Sequence, residues 1–274
     1  MCRVLGVSRS GYYGWLKRVE DGPTGRAAED VVLVAEIEAI HAKFRYYGSP
    51  RIRHELLARN HQVGRHRVAR LMRLNGIRAC RGKRKTRPRS APPARRPEIT
   101  DKVQRDFQAT VPDALWFTDI TQIRTGEGWL YAAVILDAFN REVISWAVAN
   151  QETPRTALRA LTDAMAIRRP PAGCIIHSDR GYQFTAADWL NLAAGNKLDV
   201  SLGERKSCYD NAAMESWFAS FKNEEIYPNG QPASRADARA RLFNYIWTYN
   251  TQRLHSTLGY VTPRAYAAES SICP

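Results

Sequence analysis

The sequence predicts an α/β chain in which a mixed sheet, covered by helices on both faces, follows a small all-α basic region. Three observations predict it. Apolar, β-branched runs at 115–125, 128–139 and 142–150 follow one another with short polar turns, and alternating helical and strand patterns come after them. Ahead of them, apolar residues recur at helical spacing between Gly and Pro punctuation. The charge divides at the same place: residues 1–99 hold 23 Lys+Arg against 8 Asp+Glu, whereas residues 100–274 hold 18 against 19.

Residues 1–28 contain a partial helix-turn-helix-like segment. Leu5 to Trp15 read like its second half, with a turn glycine, Ser8 as N-cap and aromatics behind it. Residues 29–78 form a basic helical domain of helix-turn-helix type. Val31, Val34, Ile37 and Ile40 recur near helical spacing between Glu29 and Phe44. A second helix starts at Pro50, tolerated at a first helical position, and runs to about Asn60 with Ile52 and Leu56 inward. A third spans Arg65 to Asn75 and is closed by Gly76. Its Val68, Leu71 and Met72 face inward, while Arg65, Arg67, Arg70 and Arg73 project outward. Four arginines on one short helix of so basic a domain make it the candidate DNA-contacting helix. Nothing in them selects bases, because Arg serves phosphate and guanine alike.

Residues 79–108 are a basic, Pro-rich linker with almost no large apolar side chains, in which Lys83, Arg84 and Lys85 can track a phosphate backbone. The core, residues 109–228, begins with the three strand-like runs, the last two joined through Asn140-Arg141. A helix from Pro154 to about Ile167, a strand at Gly173 to His177, a helix from Thr185 to about Ala194 and a strand at Leu198 to Leu202 complete the alternation. Asp210 or Asn211 can then N-cap a further helix. Residues 229–274 are a C-terminal helical extension and tail. Trp116, Trp146, Trp217 and Trp247 read as core aromatics.

Within this frame three acids stand out. Asp119 interrupts the run Trp116-Phe117-Thr118-Asp119-Ile120-Thr121, and Asp179 ends an aliphatic run as Ile176-His177-Ser178-Asp179-Arg180-Gly181. A carboxylate in such surroundings is expensive to bury unless something compensates its charge. Glu215 follows Asp179 after 35 intervening residues and lies about one turn into the helix that begins near Asn211. Three carboxylates meeting at one place are the usual protein share of a two-metal phosphoryl-transfer site, and hard oxygen ligands select Mg²⁺, with Mn²⁺ as substitute, over zinc. The plainer reading is that Arg180 and a second arginine neutralise the acids. Lys222, seven residues beyond Glu215, falls on the same helix face. His177 is read as structural rather than as a general base.

Composition excludes several classes. At 274 residues and 44% hydrophobic the chain has ample material for a core, and its net charge of +14 points to a polyanionic partner. Five scattered cysteines with no CxxC spacing indicate reduced thiols in a cytoplasmic protein, and His54, His61, His66 and Cys80 lack the second nearby cysteine of a zinc site. No signal peptide is evident, and the longest apolar stretch, about Leu130 to Leu136, is too short to cross a bilayer.

The constellation resembles the D,D(35)E core of insertion-sequence transposases and retroviral integrases, and most closely the second-frame (OrfB-type) transposases of the IS3 family. The likeness rests on Trp116 to Thr121, His177 to Gly181 with Gln183 and Thr185, and Cys208 to Ser216. It continues through Tyr249-Asn250, Arg253, His255-Ser256, Leu258-Gly259-Tyr260 and Thr262-Pro263, and through Tyr46 to Ile52 with Arg65 to Gly76 in the amino-terminal region. The resemblance implies a ribonuclease-H-like fold whose first and fourth strands are neighbours. It implies a DNA transposase that exposes a 3′-OH at each element end and joins it to target DNA, with Asp119, Asp179 and Glu215 as catalytic and metal ligands. Asp119 would be shared by both ions, and Lys222 would touch the terminal DNA. It further implies homo-oligomers on double-stranded DNA, an upstream-frame product as partner, and association with the nucleoid. Tyr182 and the segment Gly203 to Ser207 depart from the family pattern, which bears on end recognition. Two alternatives stay open: a catalytically silent DNA-binding regulator, and a ribonuclease-H-fold nuclease that cleaves without joining.

Overall fold

The computed structural model describes residues 2, 4–80, 99–104, 106–203 and 211–270. Lys83, Arg84, Lys85 and Asp210 lie outside the described residues. The chain divides into two compact units, Met1–Cys80 and Arg81–Pro274.

The first unit is all helical: α1 (Arg9–Glu20), α2 (Arg26–Lys43), α3 (Ser49–Ala58) and α4 (Arg65–Leu74). Ser8 caps α1 by accepting the Gly11 amide at 3.0 Å. On α2 the buried stripe is Leu33, Ile37 and Ile40, continued by Phe44 just beyond the helix, while Val31 is exposed. Ile37 and Ile40 are thus buried as expected, and only the head of the stripe differs: Leu33, four residues before Ile37, takes the place expected of Val31. Ile52 and Leu56 of α3 and Val68, Leu71 and Met72 of α4 complete this core. After α4, Gly76 takes a left-handed φ of +67° and the Ile77 amide reaches back to the Met72 carbonyl at 2.8 Å, the closure a helix-ending glycine permits.

The second unit is built on a five-stranded sheet in the order β3-β2-β1-β4-β5. The strands are β1 (Leu115–Thr125), β2 (Gly128–Asp137), β3 (Val143–Ala149), β4 (Ile175–Ser178) and β5 (Asp199–Leu202). β1, β2 and β3 form an antiparallel meander, and β4 and β5 add in parallel beside β1. Pleating sends alternate residues of β1 to opposite faces. Trp116 faces a core shared with α5 (Pro154–Arg168), α6 (Tyr182–Thr185) and α7 (Ala187–Gly195). Leu115, Phe117 and Ile123 face the other core.

The expected helix from Thr185 to about Ala194 is α7, which starts two residues later, and the short α6 stands separately before it. Ala186 is extended (φ −64°, ψ 143°), and this single break turns both Phe184 and Trp189 into the core, edge to face at 5.2 Å. On the opposite face lies α8 (Ala212–Phe221), which continues as one π-helical turn (Lys222–Ile226) into α9 (Tyr227–Asn229). Beside it runs α10 (Arg235–Thr251), followed by a 3-10 turn (Ser256–Leu258) and α11 (Pro263–Ser270). The segment 229–274 thus does more than trail the core: Leu242, Tyr245, Ile246 and Tyr249 of α10 are buried in it. Asn250 clasps β3, accepting the Val143 amide at 3.0 Å and donating to its carbonyl at 2.9 Å. Trp116 and Trp217 are core aromatics, but Trp247 is half-exposed, since it shares the outer face of α10 with Phe243 one turn before it.

Candidate active site

Asp119 lies near the middle of β1 and Asp179 just beyond the end of β4. The parallel register sets Phe117 opposite His177, the last pair of the β1–β4 ladder, and Asp119 and Asp179 each follow two residues beyond it. Such strands run about 5 Å apart. Parity fixes the face of Asp119: Leu115, Phe117, Ile175 and His177 all turn toward the α8 core, and Asp119, inside β1, continues that alternation, while Asp179 follows just after β4 has ended.

Glu215 enters from α8. Its amide bonds the Asn211 carbonyl at 3.0 Å, so Glu215 sits one turn into the helix and on the face of Asn211. Asn211 occupies the N-cap position, as expected, yet its side chain does not cap the helix. It donates from Nδ2 to the Thr118 carbonyl at 3.1 Å and so fastens the start of α8 to the residue before Asp119. Asn211 Oδ1 and Thr118 Oγ1 are buried without a hydrogen-bond partner among the described residues.

The side chains of the three acids are not drawn into one tight cluster: among the described residues, no three His, Cys, Asp or Glu groups stand within reach of a common ion. Like charges at short range repel, and the backbone places these three at one end of one sheet face without forcing their carboxylates together. Asp119 Oδ1 accepts the Ile120 amide at 2.7 Å. The Asp179 pKa is raised, chiefly by desolvation, against the opposing pull of the Gly181 amide and of His177. That amide donates to Asp179 Oδ1 at 2.9 Å, and a Cβ on Gly181 would lie 2.9 Å from the same oxygen and 2.5 Å from Gln183 Oε1.

Arg180 gives its Nε to the Gly203 carbonyl at 2.8 Å and its Nη2 to the Ile99 carbonyl at 2.9 Å, and it is not among the groups that shift Asp179. Arg180 is therefore not what sets the charge of Asp179. His177 is fully buried, with Nδ1 2.9 Å from Ser201 Oγ and 3.8 Å from Asp101 Oδ1. Asp101 in turn accepts the amides of Val103 and Gln104, so His177 fastens this segment to the sheet. The loop after Asp179 is held by Glu152: Tyr182 donates its hydroxyl to the Glu152 carbonyl at 2.5 Å, and the Gln183 amide donates to its carboxylate. Glu152 carried no signal in the sequence, because its role depends on a contact across thirty residues.

Lys222 lies seven residues past Glu215, two turns along the same face and half-buried, where the π-helical turn begins. On α4, Arg65 and Arg73 are exposed as expected. Arg67 and Arg70 are engaged within the unit instead. Arg67 pairs with Asp30 at 2.7 Å and Glu29 at 2.9 Å, and Arg70 with Asp30 at 2.5 Å. These acids occupy the start of α2, which packs on α4, and the outward projection expected for both arginines is directed to them. Both hold the Asp30 pKa below the usual carboxylate range, Arg70 more strongly.

Comparison with known proteins agrees with this architecture. Residues 28–85 match the HTH-like domain family, and residues 109–208 and 196–263 match the integrase core domain family. The chain is 38% identical over 268 residues to the insertion element IS600 uncharacterized 31 kDa protein of Shigella sonnei, covering 97% of each. It is 37% identical over 270 residues to transposase InsF for insertion sequence IS3A of Escherichia coli, covering 97% of this chain and 92% of that one. Among solved structures, the simian T-cell lymphotropic virus intasome in complex with PP2A regulatory subunit B56 gamma aligns over 84% of this chain and 74% of that one. The TM-score is 0.51 at 16% identity, a likeness of fold. No helix among the described residues is long and apolar enough to cross a membrane. With an HTH-like region ahead of a five-stranded integrase core, and with this identity along almost its whole length, the chain belongs to the IS3 family of insertion-sequence transposases, DDE enzymes that transfer DNA strands.

Proposed function

We propose that Asp119, Asp179 and Glu215 are the catalytic carboxylates of this transposase, and that they hold divalent cations while it cleaves DNA at the ends of its element and joins the freed 3′-OH to target DNA. One observation carries the reading: the β1–β4 register and the Asn211–Thr118 bond bring the three backbones to one end of one sheet face. The donor set fits Mg²⁺, or Mn²⁺ in its place, because all three ligands are hard oxygens. The raised pKa of Asp179 is what a desolvated carboxylate shows, and a cation is the partner that would favour its charged form. Bound as a pair, such ions lower the pKa of an attacking water or 3′-OH and stabilise the leaving oxygen of an in-line displacement at phosphorus.

The chain's own residues supply position. Asp119 on the central strand, Asp179 just after β4 and Glu215 on α8 would hold the ions. Gly181 steers the Asp179 carboxylate with its amide. Lys222 extends the Glu215 face toward the DNA terminus. Arg65 and Arg73 of α4 offer phosphate contacts for the element's terminal repeats, and Arg67, Arg70, Lys83, Arg84 and Lys85 add to them once DNA competes for their charge. In domain terms, residues 29–78 bind DNA, 79–108 link, 109–228 catalyse and 229–274 support the core. Processing two ends together calls for a homo-oligomer on DNA, with an upstream-frame product as a further partner, in the cytoplasm and on the nucleoid.

Labelled element ends incubated with the full chain and Mg²⁺ test this. Cleaved and joined products are expected, and both vanish in Asp119→Asn, Asp179→Asn and Glu215→Gln. Cleavage without joining would make the protein a nuclease, and binding with neither would make it a regulator.

A further inference from the structure

Glu224 is a buried acid that the proposed chemistry does not use. It sits in the π-helical turn that prolongs the Glu215 helix, and Arg253 grips it with both arms, Nε to Oε2 at 2.8 Å and Nη2 to Oε1 at 2.6 Å. The side chains of Arg253 and Glu224 are only 6% and 8% exposed, so this pair is shielded from water, where a fork-to-carboxylate contact is strong and directional. Tyr245 donates its hydroxyl to Glu224 Oε2 at 2.9 Å, and the Arg253 guanidinium lies 5.6 Å from the Tyr249 ring centroid. His255 closes the group, edge-on to Tyr249 at 4.6 Å.

The same two tyrosines reach α8 from the other side. Tyr245 and Tyr249 meet the Trp217 ring edge-on at 5.9 and 5.8 Å, and Trp217 stacks on Phe221 at 5.9 Å. Trp217 is two residues from Glu215. A continuous chain of packed groups therefore runs from Arg253 through Tyr245 and Tyr249 to the helix that carries the third acid. A π turn is rarely stable by itself and is common beside functional sites, where one extra residue re-aims what precedes it. Here an ion pair from the far end of α10 holds that turn.

We propose that Arg253 and Glu224 act as positioning residues: their bidentate contact fixes the axial placement and rotation of α8, and with it the Glu215 carboxylate. The segment from Tyr249 to His255 thereby acts in strand transfer through α8. The proposal rests on Glu215 as a cation ligand, and its test separates the two claims. Arg253→Lys keeps the charge but loses the planar fork. The paired change Arg253→Met with Glu224→Gln removes the ion pair without leaving one charge buried alone. Each full-length variant is compared with wild type and with Glu215→Gln, well below the lowest melting temperature. The readouts are kcat and KM for joining a precut DNA end, and Mn²⁺ binding followed by electron paramagnetic resonance.

A misplaced ligand lowers kcat by about tenfold or more and weakens Mn²⁺ binding, while KM for DNA stays within about twofold. Unchanged kcat and Mn²⁺ affinity, with only the melting temperature lowered, would overturn the positioning role and leave an ordinary stabilising pair. Wild-type joining and Mn²⁺ binding by Glu215→Gln would remove the premise instead.

Discussion

Asn211 holds the carbonyl of Thr118 at 3.1 Å, one residue before Asp119 and one helical turn before Glu215. The β1–β4 ladder has ended at Phe117 and His177, so the carbonyl lies where strand pairing has stopped on that side. A single amide thus couples the first and third acids, which are far apart in sequence. It does so from a buried position, 7% exposed, where a lost partner cannot be replaced freely by water.

Replacing Asn211 by Ala leaves the Thr118 carbonyl bare. The expected stability loss is about 1–3 kcal/mol, the range for orphaning a buried hydrogen-bonding group. Strand joining should fall further than that loss explains, because the start of α8 is released from β1. Urea unfolding and a joining assay on the same preparation check this; equal activity at matched folded fraction would show that the tether does not position Glu215.

Gly181 offers a test confined to Asp179. An added methyl crowds the ends of the Asp179 and Gln183 side chains, and because Gln183 is buried and bonded to Glu152, Gly181→Ala should lower the melting temperature modestly. The crowding moves the Asp179 carboxylate off the Gly181 amide, and joining should drop by about tenfold or more. A variant that joins normally when folded would contradict this assignment.

The arginines of α4 divide into two free and two engaged. Arg65→Ala and Arg73→Ala should each weaken duplex binding and flatten the dependence of log K on log salt by about 1. Asp30→Asn should do the reverse, raising affinity and steepening the slope, since Arg67 and Arg70 lose the carboxylate they share. Fluorescence anisotropy across a salt series reads all three. An unchanged slope in Asp30→Asn would remove Arg67 and Arg70 from the DNA contacts.

The sequence sufficed for the ladder of elements because that ladder is written locally. The apolar run at 115–125 coincides with β1, and Val68, Leu71 and Met72 are buried at the spacing that announced them. What local pattern could not express were contacts across long intervals. Asn211 looked like a helix cap and is a tether to β1. Arg67 and Arg70 looked free to project outward toward DNA and pair with the start of α2. Trp247 looked like core and lies on the outer face, since an apolar residue does not disclose which side of a helix its neighbours will cover. Arg253 was visible only as part of a family resemblance, and its partner Glu224 not at all, because 28 residues and a π turn separate them.

Asp137 closes β2 as a fully buried carboxylate, accepting the Phe139 amide at 2.9 Å and the Asp113 amide at 3.2 Å. Desolvation outweighs these bonds and lifts its pKa from 3.8 to about 6. A raised folded-state pKa means that its contribution to stability is fully present below about pH 4, where both states are protonated, and is lost as pH rises through 6. At neutral pH the buried charge costs about 3 kcal/mol, the shift multiplied by about 1.4 kcal/mol per unit. Asp137→Asn cannot ionise, so wild type should gain on it by about 2 kcal/mol between pH 7 and pH 4. Denaturant unfolding of both proteins across that range isolates the effect, since every other titrating group is common to the two. A difference in stability that stays flat with pH would mean that Asp137 does not change its charge within this window.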